Sequence, residues 1–342
     1  MSPAAFFARP VILSRMLIHV GYPGAIRENA VGPWSGSARD VPPPWSDCPT
    51  VLAMTGPPDI DGAEHRHVQI ETADAGALGV HYAEAGDGPP LLLLHGWPQH
   101  FWCWRRVVPQ LAQEFRLICP DLRGFGWSDA PGRGYDPGTF AADAVALLDA
   151  LDLERVGVIG HDWGGMAGFM LALRQPARAS GLVALGAPSP WVRPSPRVLA
   201  SSWRTFYAWG LAAVGRPAVA RRPGAASLIL RHGAPDTVID EEDAEVYAQP
   251  LREPARADAS QQLYRSYVRS VLALGSGRYQ GLRLTVPTRL VVGRRDQAVP
   301  EAVVQGFEPH ADDMALELVD GAGHFLPEER PDVVVRHVRD LF

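Results

Sequence analysis

The chain contains no lysine: all 32 residues counted as Lys or Arg are arginine. Without a side-chain amine it can build neither a Schiff-base enzyme nor the lysine-dependent phosphate cradle of a P-loop NTPase. Asparagine is almost as scarce, since Asn29 is the only one and lies in an atypical N-terminal stretch. The three cysteines, Cys48, Cys103 and Cys119, show no C-x-x-C or Cys/His metal spacing. Their odd number argues against a secreted disulfide framework and fits a reducing cytoplasm. No apolar run reaches the ~18 residues that a membrane-spanning helix needs, so no membrane span is expected. A formal net charge of -6 with no long block of like charge gives no electrostatic reason to expect nucleic acid or an anionic membrane as a partner. The expected partner is a small molecule, and nothing in the pattern sets an oligomeric state.

What is present is a chain of 342 residues with 46% hydrophobic content, enough to bury one large core with an insertion. Residues 31–58 are dense in Pro, Gly and Ser, and residues 1–62 read as a disordered extension that precedes the fold. Beyond it, Val68, Ile70, Val80 and Tyr82 alternate across a Gly-containing turn as a hairpin does. The runs Leu91 to Leu94, Arg116 to Cys119, Val156 to Ile159 and Leu182 to Leu185 read as buried parallel strands. Helical stretches lie between them, over 139–151 and from Gly164 to Leu173. This alternation predicts an α/β fold with a mostly parallel, doubly wound sheet. Between 189 and 280 no strand pattern appears, while Trp203, Phe206 and Tyr207, then Leu263, Tyr267 and Val271, fall at helical spacing. We read 189–280 as an inserted helical cap and 63–188 with 281–342 as the core, closed by the strands 288–292 and 315–319 and a helix near 333–341.

Residues 156–165 then carry the chemistry, an apolar strand running into Gly160-His161-Asp162-Trp163-Gly164-Gly165. In a nucleophile elbow, close-approaching glycines leave the central side chain exposed above the sheet. Here the centre is a carboxylate, which displaces a leaving group from a saturated carbon and forms an ester with the enzyme itself. Epoxides and haloalkanes are the matching substrates. After the strand ending at Val292 comes Asp296, and after the last strand comes Gly321-Ala322-Gly323-His324. Both lie just past strand carboxyl ends, where the crevice of an open α/β sheet forms. The order nucleophile, acid, histidine follows the hydrolase order, with His324 as the base that activates water and Asp296 as its orienting partner. Asp313 and Asp320 are competing carboxylates, but Asp313 precedes the last strand and Asp320 sits close to His324 in sequence. His95-Gly96-Trp97-Pro98 ends the first long strand and reads as an oxyanion hole, with the backbone N–H groups of Trp97 and Trp163 as donors. Both tryptophans also line the expected substrate pocket, while His95 and His161 are expected to hold loops.

Taken together, His95 to Pro98, Asp121-Leu122-Arg123-Gly124-Phe125-Gly126-Trp127-Ser128-Asp129 and Gly160 to Gly165 resemble the α/β-hydrolase epoxide hydrolases from about residue 65 to the C-terminus. The resemblance implies an α/β-hydrolase fold and two cap tyrosines that protonate the epoxide oxygen. By position these are Tyr207 and Tyr264, with Tyr267 a competitor for the second role and Ala208 a departure from the glutamine usual in the family. It implies a small apolar epoxide as substrate, a vicinal diol as product, and no cofactor or metal. A haloalkane or haloacid dehalogenase using the same aspartate is the alternative. A halide needs two N–H donors, and one common solution places asparagine where this chain has Trp97; Trp203 or Trp209 would have to serve instead. A non-catalytic ligand-binding relative is the third reading.

Overall fold

A computed structural model of the chain describes residues 56–201, 205–221, 224–234, 238–272 and 277–342. Residues 1–55 of the expected extension lie outside the described residues, whereas Ile60, near its end, is packed in the core and only 4% exposed.

The sheet begins with the expected hairpin, β1 (Glu64–Thr72) and β2 (Gly76–Ala85), paired antiparallel. β3 (Pro90–Leu94), β4 (Arg116–Pro120), β5 (Val156–His161), β6 (Ala179–Leu185), β7 (Thr288–Gly293) and β8 (Met314–Val319) follow. Their spatial order is β1-β2-β4-β3-β5-β6-β7-β8, with every pair from β4 onward parallel. Strands of a parallel sheet are covered on both faces, which is why β5 (Val-Gly-Val-Ile-Gly-His) is buried at every position. Each apolar run read as a strand is one, and the fold is an α/β-hydrolase fold.

Two helices cover the sheet beside the central strands. α1 (Pro137–Ala150) starts where its sequence says it should: Asp136 accepts from the Gly138 and Thr139 N–H groups, and Pro137 occupies the first turn, where no N–H is missed. α2 (Trp163–Arg174) leaves directly from β5, so that one turn joins strand to helix.

Between β6 and β7 the described residues hold helices and no strand, in agreement with the sequence reading of this segment. The principal ones are α3 (Phe206–Ala220), α4 (Ala225–Gly233), α5 (Glu241–Ala248) and α6 (Pro254–Leu272). α3 is kinked at Val214 and contains Pro217. Proline has no N–H to offer the carbonyl four residues back. That carbonyl, of Ala213, is met instead by Gln261 Nε2 of α6 at 2.8 Å, while Arg265 Nε donates to the Ala212 carbonyl at 3.0 Å. α6 thus repairs the break in α3, and the two helices pack as a pair. The chain closes with α7 (Pro331–Leu341), which buries Val333, Val334, Val335 and Val338 on the core.

Candidate active site

Asp162 sits between β5 and α2 with φ 52° and ψ -113°. Side chains other than glycine's seldom adopt this region, and such strain costs about 1–3 kcal/mol, sustained only by the surrounding structure. The flanking glycines explain how the bend is held. A Cβ on Gly164 would lie 2.1 Å from the Leu94 carbonyl oxygen, and one on Gly160 would lie 2.3 Å from that of Gly164. No larger residue fits either place. The result lifts the Asp162 carboxylate above the carboxyl edge of the sheet, its side chain 14% exposed.

Three groups meet it there. The Trp97 N–H donates to Asp162 Oδ2 at 3.1 Å, and the Trp163 N–H donates to the same carboxylate. His324 Nε2 stands 3.9 Å from Asp162 Oδ1. On the other side of the ring, Nδ1–H donates to Asp296 Oδ2 at 2.8 Å. Asp296 is in turn anchored through Oδ1, which accepts the Ala298 and Val299 N–H groups, each at 2.8 Å. Asp162, His324 and Asp296 therefore converge as the sequence order suggested. The competing carboxylates are spent on surface pairs, Asp313 with Arg289 and Asp320 with Arg294.

The electrostatics follow from burial. Loss of water raises the Asp162 carboxyl to about 6, against the opposing pull of His324 and the two amide donors. Burial works against a charged His324, but Asp296 and then Asp162 outweigh it and raise the imidazole to about 9. At neutral pH the resting site is an aspartate facing an imidazolium. His161, adjacent in the chain, is pushed well below the ordinary histidine range by burial first and by His324 next, and its Nε2–H donates to the His324 carbonyl at 2.8 Å. His95 Nε2 accepts the Leu122 N–H at 2.9 Å. Both histidines brace loops.

Glu329 was not singled out in the sequence, yet it holds the histidine loop. Its two oxygens accept the N–H groups of Gly323 and Phe325, the residues on either side of His324, at 2.7 and 2.9 Å. Asp121 does the same for the oxyanion loop's surroundings by accepting from the Phe101 and Trp127 N–H groups, each at 2.9 Å. The only signal for Glu329 was its place in a short proline-led helix five residues after a glycine-flanked histidine.

Above the carboxylate the walls are aromatic. Tyr264 on α6 packs edge-on to Trp97, with ring centres 4.9 Å apart, and to Trp163 at 6.2 Å. Tyr207 on α3 meets Tyr264 at 6.0 Å, and the two hydroxyls hydrogen-bond each other. Burial first pushes both phenols above their ordinary value, followed by Asp162 for Tyr207 and by Tyr207 and then Asp162 for Tyr264, so each carries its proton. Tyr267 lies against Trp163 at 6.4 Å, but its hydroxyl is engaged by Thr205, which separates it from the Tyr207–Tyr264 pair. Trp97 is fixed from behind by its Nε1–H bond to Ser260 at 3.0 Å, a contact the sequence did not suggest. Of the two tryptophans considered as halide donors, Trp209 is 39% exposed on the outside of α3, and Trp203 lies outside the described residues.

An aspartate on a strand–helix elbow, faced by a carboxylate-held histidine at the carboxyl edge of a parallel sheet, is the arrangement that α/β hydrolases build around that bend. The chain belongs to the alpha/beta hydrolase fold family, whose model matches residues 89–331, and within that family it is an epoxide hydrolase-like hydrolase. It is 53% identical over 93 residues to the soluble epoxide hydrolase of Corynebacterium sp. (strain C12), a stretch covering 27% of this chain and 32% of that one. Over 293 residues it is 28% identical to epoxide hydrolase 4 of Mus musculus, covering 78% of this chain and 77% of the relative. Its fold is similar to the solved structure of the epoxide hydrolase CorEH without ligand, with a TM-score of 0.65 and 29% identity over 82% of this chain and 99% of that one.

Proposed function

We propose that the chain is an epoxide hydrolase that opens a small apolar epoxide to a vicinal diol through a covalent ester on Asp162. The observation that carries this reading is the meeting, on one carboxylate, of two amide donors and His324 below and a protonated tyrosine pair above. Residues 189–280 act as the cap over a core of 63–188 and 281–342, and they supply both tyrosines.

In the first step Asp162 attacks an epoxide carbon, the carbon–oxygen bond of the ring breaks, and Tyr207 and Tyr264 give the departing oxygen a proton. Ester formation removes the Asp162 charge. That charge is one of the groups holding the proton on His324, so its loss weakens the imidazolium's hold; the proton passes to the tyrosines to replace the one they gave up, and a neutral imidazole is left to act as base. His324 then takes a proton from water, and the hydroxide adds to the Asp162 carboxyl carbon. The Trp97 and Trp163 N–H groups stabilise the oxyanion, an effect typically worth ~10²–10³ in rate per donor. The ester bond breaks, the departing oxygen takes the hydroxide's remaining proton as the diol leaves, and the site returns to an Asp162 carboxylate facing the His324 imidazolium. No cofactor or metal takes part in this scheme.

The dehalogenase alternative would use the same aspartate, but a departing halide needs no proton, whereas the epoxide oxygen does and the tyrosine pair can give one, and Trp97 stands where one common halide donor is asparagine. The deciding measurement is a substrate panel in ¹⁸O-labelled water: diol from styrene oxide, with label entering the Asp162 peptide after repeated turnovers, supports the proposal. Halide release without diol formation, or an Asp162 that never acquires label, overturns it.

A further inference from the structure

The net charge of -6 conceals a strongly uneven distribution. Residues 163–235 contain no aspartate or glutamate, while 189–235 hold seven arginines. This basic stretch forms the first half of the helical insertion, where the surface is also unusually apolar. The large hydrophobic side chains exposed among the described residues are Leu199 (75%), Phe206 (55%), Trp209 (39%), Val214 (57%) and Leu272 (72%), and all five belong to the insertion. Phe206, Trp209 and Val214, with exposed Ala213 and Pro217, make the outer side of α3 apolar where a surface helix is ordinarily polar. Arginines border it. Arg216 and Arg221 lie on or just past α3, and Arg265 and Arg269 on α6 are exposed beside it. Among the described residues no carboxylate is paired with Arg216, Arg221 or Arg269.

An aromatic and aliphatic helix face framed by arginines with no acid among them is the composition of a helix that lies in a lipid interface. Charge argues against a second copy of the same surface, because a two-fold contact would set these arginines against each other. We propose that the outer face of α3, with the adjoining end of α6, docks on an anionic lipid surface. The insertion rests among headgroups and does not cross the bilayer; among the described residues no helix is long and apolar enough to do so. Tyr207 follows Phe206 on the same helix, with its ring turned inward to Tyr264, so the lipid-facing side of α3 and the wall of the site are opposite sides of one helix.

The test uses the full chain and no epoxide, so its outcome is independent of the catalytic proposal. Flotation with vesicles of phosphatidylcholine alone, and of phosphatidylcholine with phosphatidylserine, should recover protein with the second kind only, and added salt should release it. Trp209→Ser, and separately Arg216→Glu combined with Arg221→Glu, should each weaken partitioning by roughly tenfold or more. Trp209→Phe should restore it, and circular dichroism checks that each variant is folded. Should either polar variant fail to fold, the lipid and salt dependence of the unaltered chain decides. The proposal is overturned by absence of binding to the anionic vesicles, by equal binding to both kinds, by folded variants that bind unchanged, or by a dimer in sedimentation that Trp209→Ser dissociates.

Discussion

At the scale of single residues, the site turns on two upward shifts, an aspartate raised to about 6 and a histidine raised to about 9. In the proposed mechanism Asp162 attacks only as the carboxylate, so single-turnover ester formation should fall with the ionised fraction as pH drops through about 6. Stopped-flow or quenched-flow alkylation rates against pH check this. His324→Gln should still form the ester and then stall, leaving an adduct of substrate mass on the Asp162 peptide; a variant that turns over or carries no adduct speaks against the assignment. Gly96→Ala offers a steric counterpart, because its new Cβ would stand 2.4 Å from that of Asp162. It should slow ester formation sharply while circular dichroism remains native. Asp162 and His324 could be read in the sequence because glycines and strand ends mark them. Glu329 could not, since its partners are the Gly323 and Phe325 backbone amides, and every residue offers an amide.

At the scale of elements, the insertion works through the repaired kink of α3. Gln261 and Arg265 tie α6 to the carbonyls that the bend exposes, and this pairing sets Tyr207 against Tyr264. Tyr264→Phe and Tyr207→Phe should each slow ring opening by up to ~10²–10⁴, the usual contribution of a general acid, with His324-dependent ester breakdown unchanged. Rates of the two half-reactions, measured separately, distinguish this from general damage. The helical character of the insertion was legible from its aromatic spacing, and so was the strand and helix order of the core. The choice between Tyr264 and Tyr267 was not. Both lie on the same helix one turn apart, and only the approach of α3 and the hydrogen bond to Thr205 tell them apart.

At the scale of the whole molecule, one buried charged cluster fastens the insertion to the core. Arg105, in the loop after β3, reaches Glu328 near the histidine loop and Asp243 of α5 at 2.8 Å, while the Tyr247 hydroxyl also bonds Glu328. Glu328 is fully buried, and that burial raises it to about 7 in spite of Arg105. Arg105→Met leaves this carboxylate without its main cation, and breaking such a pair typically costs 3–5 kcal/mol. Because Glu328 is shifted above its ordinary value, the fold's preference for its protonated form is fully felt below 4.5 and lost as pH rises through about 7. Removing Arg105 raises Glu328 further, so the variant's deficit should grow as pH rises above about 7, where only the unaltered chain ionises this carboxyl beside a cation; denaturant midpoints at several pH values can show this. The charge distribution was the hardest feature to read at this scale, because a chain-wide total averages the basic insertion with an acidic remainder.

β6 and β7 are neighbours in the sheet, yet about a hundred residues of chain separate them, a loop whose closure is entropically slow. The elbow belongs to the part made before that gap, and both partners of the imidazole system come after it. On the proposed mechanism, a half-synthesised chain that had shaped its bend at 162 would have nothing to undo an alkylation there. The capacity to be modified and the capacity to recover arrive at different times, and only docking of the last two strands makes the molecule a catalyst instead of a target.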